Sequence, residues 1–212
     1  MDKLSSEKIN KLVLSAYDSI AYSYTKAYAE NDEYDVKYLE EFISRLEGKV
    51  ILDMGCGTGT NAIYLKRKDL LVAGVDGSKK MLDIARKIYP SITFKKQNIL
   101  KTSFKKEKFD GIVIAYVINH FNQEGLEQLK IEIDRILKKN GIIFISAHMG
   151  EKEKFLPDPL DASIKIYYNF FTVDVLDALF RNYKKEYYST RQSFGEEEIL
   201  CDKMFVVYRR QD

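Results

Sequence analysis

The 212-residue sequence has no tryptophan, two cysteines, two histidines and three prolines, and each scarcity removes a class of readings. Cys56 and Cys201 are far apart and lack CxxC spacing, so a disulfide framework is not expected and a reducing, cytoplasmic setting fits best. With only His120 and His148 besides, no metal centre is expected. No run of about 18 apolar residues occurs, which argues against a membrane-spanning helix. Residues 1–6 show no apolar stretch behind a basic region, so no secretory signal is expected. One-sided charge is missing as well: 34 basic and 32 acidic side chains leave a net +2. The lysine pairs at 95–96, 105–106, 138–139 and 184–185 are interleaved with acids, so there is no electrostatic footprint for nucleic acid. Neither repeats nor a linker divide the chain, and one domain over 1–212 is expected.

What is present is a periodic pattern. Ile9, Leu12, Val13, Ala16, Tyr17, Ile20 and Tyr24 form an apolar helical stripe, and Val36, Leu39, Ile43 and Leu46 form a second, stopped at Gly48. These N-terminal helices occupy 1–48. From 49 to 149, short apolar strands at 49–53, 70–75, 92–96, 109–116 and 142–146 alternate with helical periods. Continuous apolar strands between helices indicate a parallel sheet covered on both faces, hence an α/β class. Ser78 is placed to cap the helix that Pro90 ends. Segment 150–171 carries Pro157 and Pro159 and reads as an irregular, variable excursion with one short helical piece. Residues 172–212 read as a helix capped by Thr172 and two strands, 184–191 and 199–209, joined through Gly195 and the acids 196–198. Two strands so joined pair antiparallel.

The stretch Val50-Ile51-Leu52-Asp53-Met54-Gly55-Cys56-Gly57-Thr58-Gly59 is a buried strand running into a glycine turn and a helix N-terminus. Glycines let a ligand approach the backbone, and the first turn of the helix offers free N–H groups. Dinucleotide sites prefer G-x-G-x-x-G, whereas here the spacing is Gly55-x-Gly57-x-Gly59, with Thr60 where that motif's last glycine would fall. Asp53 before the turn suits a cationic ammonium and would repel a pyrophosphate. Asp76, ending the next strand, is placed to accept hydrogen bonds from ribose hydroxyls.

Asp53-Met54-Gly55-Cys56-Gly57-Thr58-Gly59 resembles the first motif of the class I S-adenosylmethionine-dependent methyltransferases, small-molecule branch. Asp76, Gln97-Asn98-Ile99, Phe109-Asp110-Gly111-Ile112-Val113 and Leu137-Lys138-Lys139-Asn140-Gly141 are similar to its later motifs. So is the leader Tyr17-Asp18-Ser19-Ile20-Ala21-Tyr22-Ser23-Tyr24. The resemblance implies a Rossmann-like, seven-stranded, mostly parallel doubly wound sheet. A C-terminal antiparallel hairpin would place the last strand between the fifth and sixth, and an N-terminal helical lid would cover the cofactor. It implies S-adenosyl-L-methionine as cofactor and S-adenosyl-L-homocysteine as product. Backbone at Gly55, Cys56 and Gly57, with Gly59 in the same turn, would meet the methionine portion, and Asp53 would lie near its ammonium. Asp76 would take the ribose diol, flanked by Gly77, Ser78 and Met81; Asn98 and Ile99 would meet adenine. Ala115 and Tyr116 would floor the sulfonium end, with Tyr17 and Tyr24 closing from the leader helix. Two departures stand out: Asn98 where an acid is frequent, and Asn140 where proline and a second glycine are usual.

Several residues keep two readings. Cys56 is either an inert spacer or a thiol activated by the helix N-terminus. His120 and Tyr116 are candidate proton acceptors or packed wall residues, and His148 is either substrate-facing or structural. The aromatic run 167–171 is either core at a helix start or a substrate wall. Methyl transfer needs a positioned acceptor more than a base. An Asn-Pro-Pro-Tyr-type motif is absent after the fourth strand, where Ile114-Ala115-Tyr116-Val117 stands, which favours a small-molecule acceptor over protein or RNA. A cofactor-binding protein without transfer activity and a nicotinamide-dependent dehydrogenase remain the alternatives.

Overall fold

The computed structural model describes residues 4–28, 33–193 and 201–211. Two helices, α1 (Ser6–Tyr28) and α2 (Glu33–Ile43), precede an alternating run: β1 (Val50–Met54), α3 (Thr60–Arg67), β2 (Leu71–Asp76), α4 (Lys79–Ile88), β3 (Thr93–Lys96) and β4 (Phe109–Ala115). A 3-10 turn (Ile118–His120), α5 (Gln123–Ile136) and β5 (Leu137–His148) follow. The chain ends in β6 (Glu153–Asp158), β7 (Asp161–Asn169), α6 (Val173–Leu179), β8 (Tyr183–Arg191) and β9 (Lys203–Arg210).

Seven strands form one sheet in the order β3-β2-β1-β4-β5-β9-β8. β3, β2, β1, β4 and β5 run parallel, while β9 runs antiparallel to both β5 and β8. The last strand therefore inserts beside the fifth, and the doubly wound, seven-stranded expectation holds. Side chains alternate between faces. Ile112, Ile114, Ile143 and Ile145 pack with Leu129, Ile133 and Ile136 of α5 and with Leu176. Val113 and Phe144 face the other way, against Tyr38, Leu39 and Phe42 of α2 and Leu65 of α3. Burial on both sides explains why these strands read as unbroken apolar runs.

Segment 150–171 corrects the expectation of an irregular excursion. It is a two-stranded antiparallel hairpin, β6 with β7. Asp158 closes its turn, Oδ1 accepting from the N–H groups of Leu160 (2.9 Å) and Asp161 (3.2 Å). Prolines are tolerated there because a two-stranded sheet has only edges, and the pairing slips at Pro157/Asp158. The aromatic run 167–171 consequently ends a strand and starts no helix. Ile166, Tyr167, Tyr168 and Phe170 pack against Ile9, Val13, Ala16 and Ile20 of α1, so hairpin and helix form one layer. β5 also begins earlier than expected, at Leu137, with Asn140 in the left-handed region (φ 60°) as an internal kink before Gly141. The loop between β8 and β9, where Gly195 and the acids 196–198 fall, lies outside the described residues.

The first glycine turn fixes how closely α3 approaches β3. Gly59 stands at φ 88°, and a Cβ there would lie 2.6 Å from Cζ of Phe94. Gly59→Ala is therefore expected to lower the urea unfolding free energy by roughly 1–3 kcal/mol. An unchanged midpoint would show that the turn relaxes freely.

Candidate functional site

The parallel strands end on one rim, and the chain leaves β1 and β4 in opposite directions, so a crevice opens between them. β1 feeds a turn in which Gly55, Gly57 and Gly59 all have positive φ (79°, 50° and 88°). The N–H groups of Gly55 and Cys56 donate to the Val75 carbonyl (2.8 and 3.0 Å), pinning the turn over the end of β2. Asp76 completes the junction. Its Oδ2 accepts from Gly57 N (2.8 Å) and its Oδ1 from Ser78 N (2.7 Å). Burial raises the Asp76 pKa, the three backbone N–H groups around it opposing. Ser78 caps α4, accepting at Oγ from Met81 N (3.2 Å) and donating to Asp18 of α1 (2.6 Å).

The resulting cavity encloses about 760 Å³, part of it open to solvent. Gly55, Gly57, Asp76, Gly77, Met81, Asn98, Ile99, Ala115, Tyr116, Tyr17, Tyr24 and His120 all line it. The walls sort by chemistry: Asp76, Gln97 and Asn98 are polar, while Val13, Leu14, Met81, Ile99 and Phe121 are apolar. Asn98 uses Oδ1 to accept from Leu100 N (3.0 Å), which holds its own loop.

Asp53, Cys56, Gly59 and Ser78 stand behind this surface. Asp53 is 1% exposed within β1, between Gly74 and Val113 of the neighbouring strands. Cys56 turns its sulfur toward Gly74 and joins Ala62, Leu82, Ala85 and Phe94 in an apolar cluster. Burial, then the carboxylates of Asp53 and Asp76, push its thiol well above the usual range, so it is an inert spacer.

His120 sits on the 3-10 turn with its ring buried. Its Nδ1 lies 2.9 Å from the Tyr167 carbonyl, and its Nε2 lies 2.9 Å from the Tyr17 hydroxyl. A carbonyl only accepts, so Nδ1 carries the proton and Nε2 accepts from Tyr17. Burial lowers the His120 pKa to about 4. Tyr116 departs from ordinary backbone at φ 57°, its N–H held by the Ser146 carbonyl (2.9 Å). Its hydroxyl donates to Asp35 Oδ2 (2.5 Å), and burial followed by Asp35 holds the phenol far above its usual pKa. His148 ends β5, with its backbone locked by Asn119. Asn119 Oδ1 accepts from His148 N (2.9 Å), and Asn119 Nδ2 donates to the carbonyls of His148 (3.0 Å) and Asn169 (2.7 Å).

Comparison with known proteins agrees with this geometry. The Methyltransferase domain family matches residues 51–141. A carboxy-S-adenosyl-L-methionine synthase of Campylobacter lari is 30% identical over 208 residues, 94% of this chain and 80% of that protein. The chain belongs to the S-adenosylmethionine-dependent methyltransferase family. An uncharacterized methyltransferase of Alkaliphilus oremlandii is 28% identical over 144 residues, 66% of each chain. Among solved structures, the 1,6-didemethyltoxoflavin-N1-methyltransferase of Burkholderia thailandensis, with that compound and S-adenosylhomocysteine bound, superposes with a TM-score of 0.77. It covers 100% of this chain and 93% of its own at 15% identity, a likeness of fold.

S-adenosylmethionine is the family's cofactor, and this methyltransferase's residues fit it. A Cβ on Gly57 would meet nothing within 4 Å, so the backbone there is open to a ligand. The Asp76 carboxylate accepts backbone N–H groups from Gly57 and Ser78, and its two oxygens offer further lone pairs to a hydroxyl. Asp18, Asp35, Asn119 and the α1 residues Asn10, Val13 and Leu14 were not singled out by motif. Asp18 left a signal beside Tyr17 in the leader, and Val13 one in the apolar stripe of the first helix.

The buried histidines make stability pH-dependent with a definite sign. Folded values of about 4 for His120 and about 3 for His148 lie below the ordinary 6.5. The unfolded chain thus binds more protons in the window from 6.5 down to 3–4, and stability falls as pH falls through it. For His120 the loss amounts to roughly 3 kcal/mol. Urea titrations from pH 7 to pH 4 are expected to fall less steeply for His120→Asn; an identical slope would contradict the neutral-histidine assignment.

Proposed function

We propose that the protein carries the methyl group of S-adenosylmethionine to a small-molecule acceptor lodged beyond Tyr116. The observation that carries this reading is the single cavity in which the glycine turn, Asp76 and the tyrosines of α1 meet. Bound S-adenosylmethionine supplies an electrophilic methyl group on a sulfonium centre. Asp76 serves the ribose hydroxyls, Met81 and Ile99 the adenine, and the backbone from Gly55 to Gly57 the methionine end. Leu14, Tyr17 and Tyr24 keep water from the reacting end, where a dry pocket and a held geometry supply most of the acceleration.

No side chain is assigned as general base. With a pKa of about 4, His120 is a weak proton acceptor near neutrality, and its Nε2 already accepts from Tyr17. Its part is to anchor Tyr17 over the cavity. The Tyr116 phenol stays protonated and hydrogen-bonded to Asp35. The acceptor therefore brings its own lone pair, as a neutral amine, a thiolate or an acidic hydroxyl does. No described helix is long and apolar enough to cross a membrane, and both cysteines are free, which supports a cytoplasmic setting.

A second reading has support from one comparison. The Campylobacter lari relative, matched over 94% of this chain, is named for making a carboxylated S-adenosylmethionine. On that reading the chain alters its cofactor's own methyl group. Mass spectrometry of the nucleoside that copurifies separates the two: unmodified S-adenosylmethionine or S-adenosylhomocysteine supports methyl transfer, and a carboxylated form supports the second reading.

Asp76→Asn removes the charge from the ribose contact, and hydrogen bonds to charged groups are worth about 1.5–3 kcal/mol. Calorimetric titration is expected to show S-adenosylhomocysteine binding weakened roughly 10–100-fold, with NADH binding to neither form. Wild-type affinity in the variant would remove Asp76 from the cofactor seat.

A further inference from the structure

Tyr116 is held more firmly than a wall residue needs. It follows β4 at φ 57°, a left-handed backbone that is strained for a bulky side chain and persists only where the surroundings over-determine it. The turn brings the next residue onto the donor seat, since a Cβ on Gly55 would lie 2.4 Å from Val117 Cγ2. The half-buried Tyr116 side chain lines the cavity together with Ala115 and Val117. One residue thus walls the cavity while its backbone sets how β4 meets the glycine turn.

Three contacts fix it. The Ser146 carbonyl accepts from its N–H (2.9 Å), the His148 ring lies 5.0 Å from its own, and its hydroxyl donates to Asp35 Oδ2 (2.5 Å). The last contact is long-range, because Asp35 belongs to α2, 81 residues earlier. Asp35 is itself anchored: its Oδ1 lies 3.2 Å from Nε of Arg191 at the end of β8. Hydrogen bonds to a charged group are the strong ones, so this carboxylate ties α2, the end of β4 and the end of β8 together at the phenol. Asp35 and Arg191 both stand outside the cavity lining, so any effect they have on a ligand there passes through Tyr116.

The chemistry of the ring gives this bracing a purpose. A cation within about 6 Å of an aromatic face is attracted to it, most strongly where water is excluded. On the methyl-transfer reading, the group beside Ala115 and Tyr116 is a sulfonium cation in the donor and a neutral thioether in the product. A ring free to swing would average the attraction away. We propose that Asp35, backed by Arg191, is a positioning residue that holds the Tyr116 ring against the sulfonium, and that the braced ring tells the charged donor from the neutral product. Once the methyl group has left, the ring loses the charge it held, which favours release of S-adenosylhomocysteine. The proposal rests on the methyl-transfer reading, because that reading puts the sulfonium there.

The test is calorimetric titration of the whole chain at pH 7 with S-adenosylmethionine and, separately, S-adenosylhomocysteine. The readout is the ratio of the two dissociation constants. A merely structural role leaves that ratio alone, because a loosened seat weakens both ligands alike. In Asp35→Ala the donor is expected to lose roughly threefold or more in affinity relative to the product, within the worth of one cation–ring contact. Tyr116→Phe keeps the ring but not the hydroxyl that Asp35 holds, and it should move the ratio by the same amount. Combining the two substitutions should then move it no further, as coupled residues require. An unmoved ratio in the single variants, or shifts that simply add in the double variant, would overturn the positioning role. Should Asp35→Ala not fold, the ratio in Tyr116→Phe decides alone. Failure of the unaltered chain to bind either nucleoside would instead overturn the methyl-transfer reading beneath it.

Discussion

The site depends on one buried carboxylate. Asp76, at the end of β2, ties the glycine turn to the start of α4 through backbone N–H groups from Gly57 and Ser78. Burial alone would drive this acid toward its neutral form, and the surrounding N–H groups oppose that. On the proposed reading the same oxygens that hold the turn also take the ligand's ribose hydroxyls, and structure and binding then draw on one side chain. The positive-φ glycines follow from this geometry, because the turn must pass over the end of β2 while its N–H groups donate to Val75.

The lid is built onto that junction. Asp18 of α1 accepts from Ser78 Oγ and from Lys80 N (3.0 Å), so the helix that covers the cavity is bonded to the N-terminus of α4. Farther along, Tyr17 donates to His120, whose other nitrogen donates to the β7 backbone at Tyr167. The hairpin thereby sets the histidine's tautomer, and the tautomer orients the tyrosine. Leu14 completes the closure over Gly77, where a Cβ would lie 2.6 Å from its Cδ2. Donor seat, lid and hairpin are mechanically one assembly, which explains why the hairpin's inner side chains are apolar and its turn is closed by Asp158.

Much of this was legible in the sequence because it rests on local pattern. Asp53 through Gly59 announced a strand and a turn, Ser78 a cap, and the apolar runs at 109–116 and 142–146 a doubly covered sheet. The hairpin was not legible: Pro157 and Pro159 read as breakers, and only the edge position of β6 makes them acceptable. Long-range partners were equally hidden. Nothing near Asp35 in the chain indicates that it meets Tyr116 and Arg191, and nothing near Asn119 that it locks the end of β5. His120 is visible as a candidate base, but its burial and fixed tautomer come from β7, a strand that the prolines of the hairpin disguise. The motifs that mark the donor are thus contiguous, whereas the contacts around Tyr116, His120 and His148 are assembled from distant residues.

A crystal structure of the protein with S-adenosylhomocysteine bound tests the central claim most directly. The expected result has both ribose hydroxyls within hydrogen-bonding distance of Asp76, the adenine between Met81 and Ile99, and the sulfur beside Ala115 and Tyr116 under Tyr17. A nucleoside seated elsewhere, or one that leaves Asp76 bonded only to Gly57 and Ser78, would contradict it.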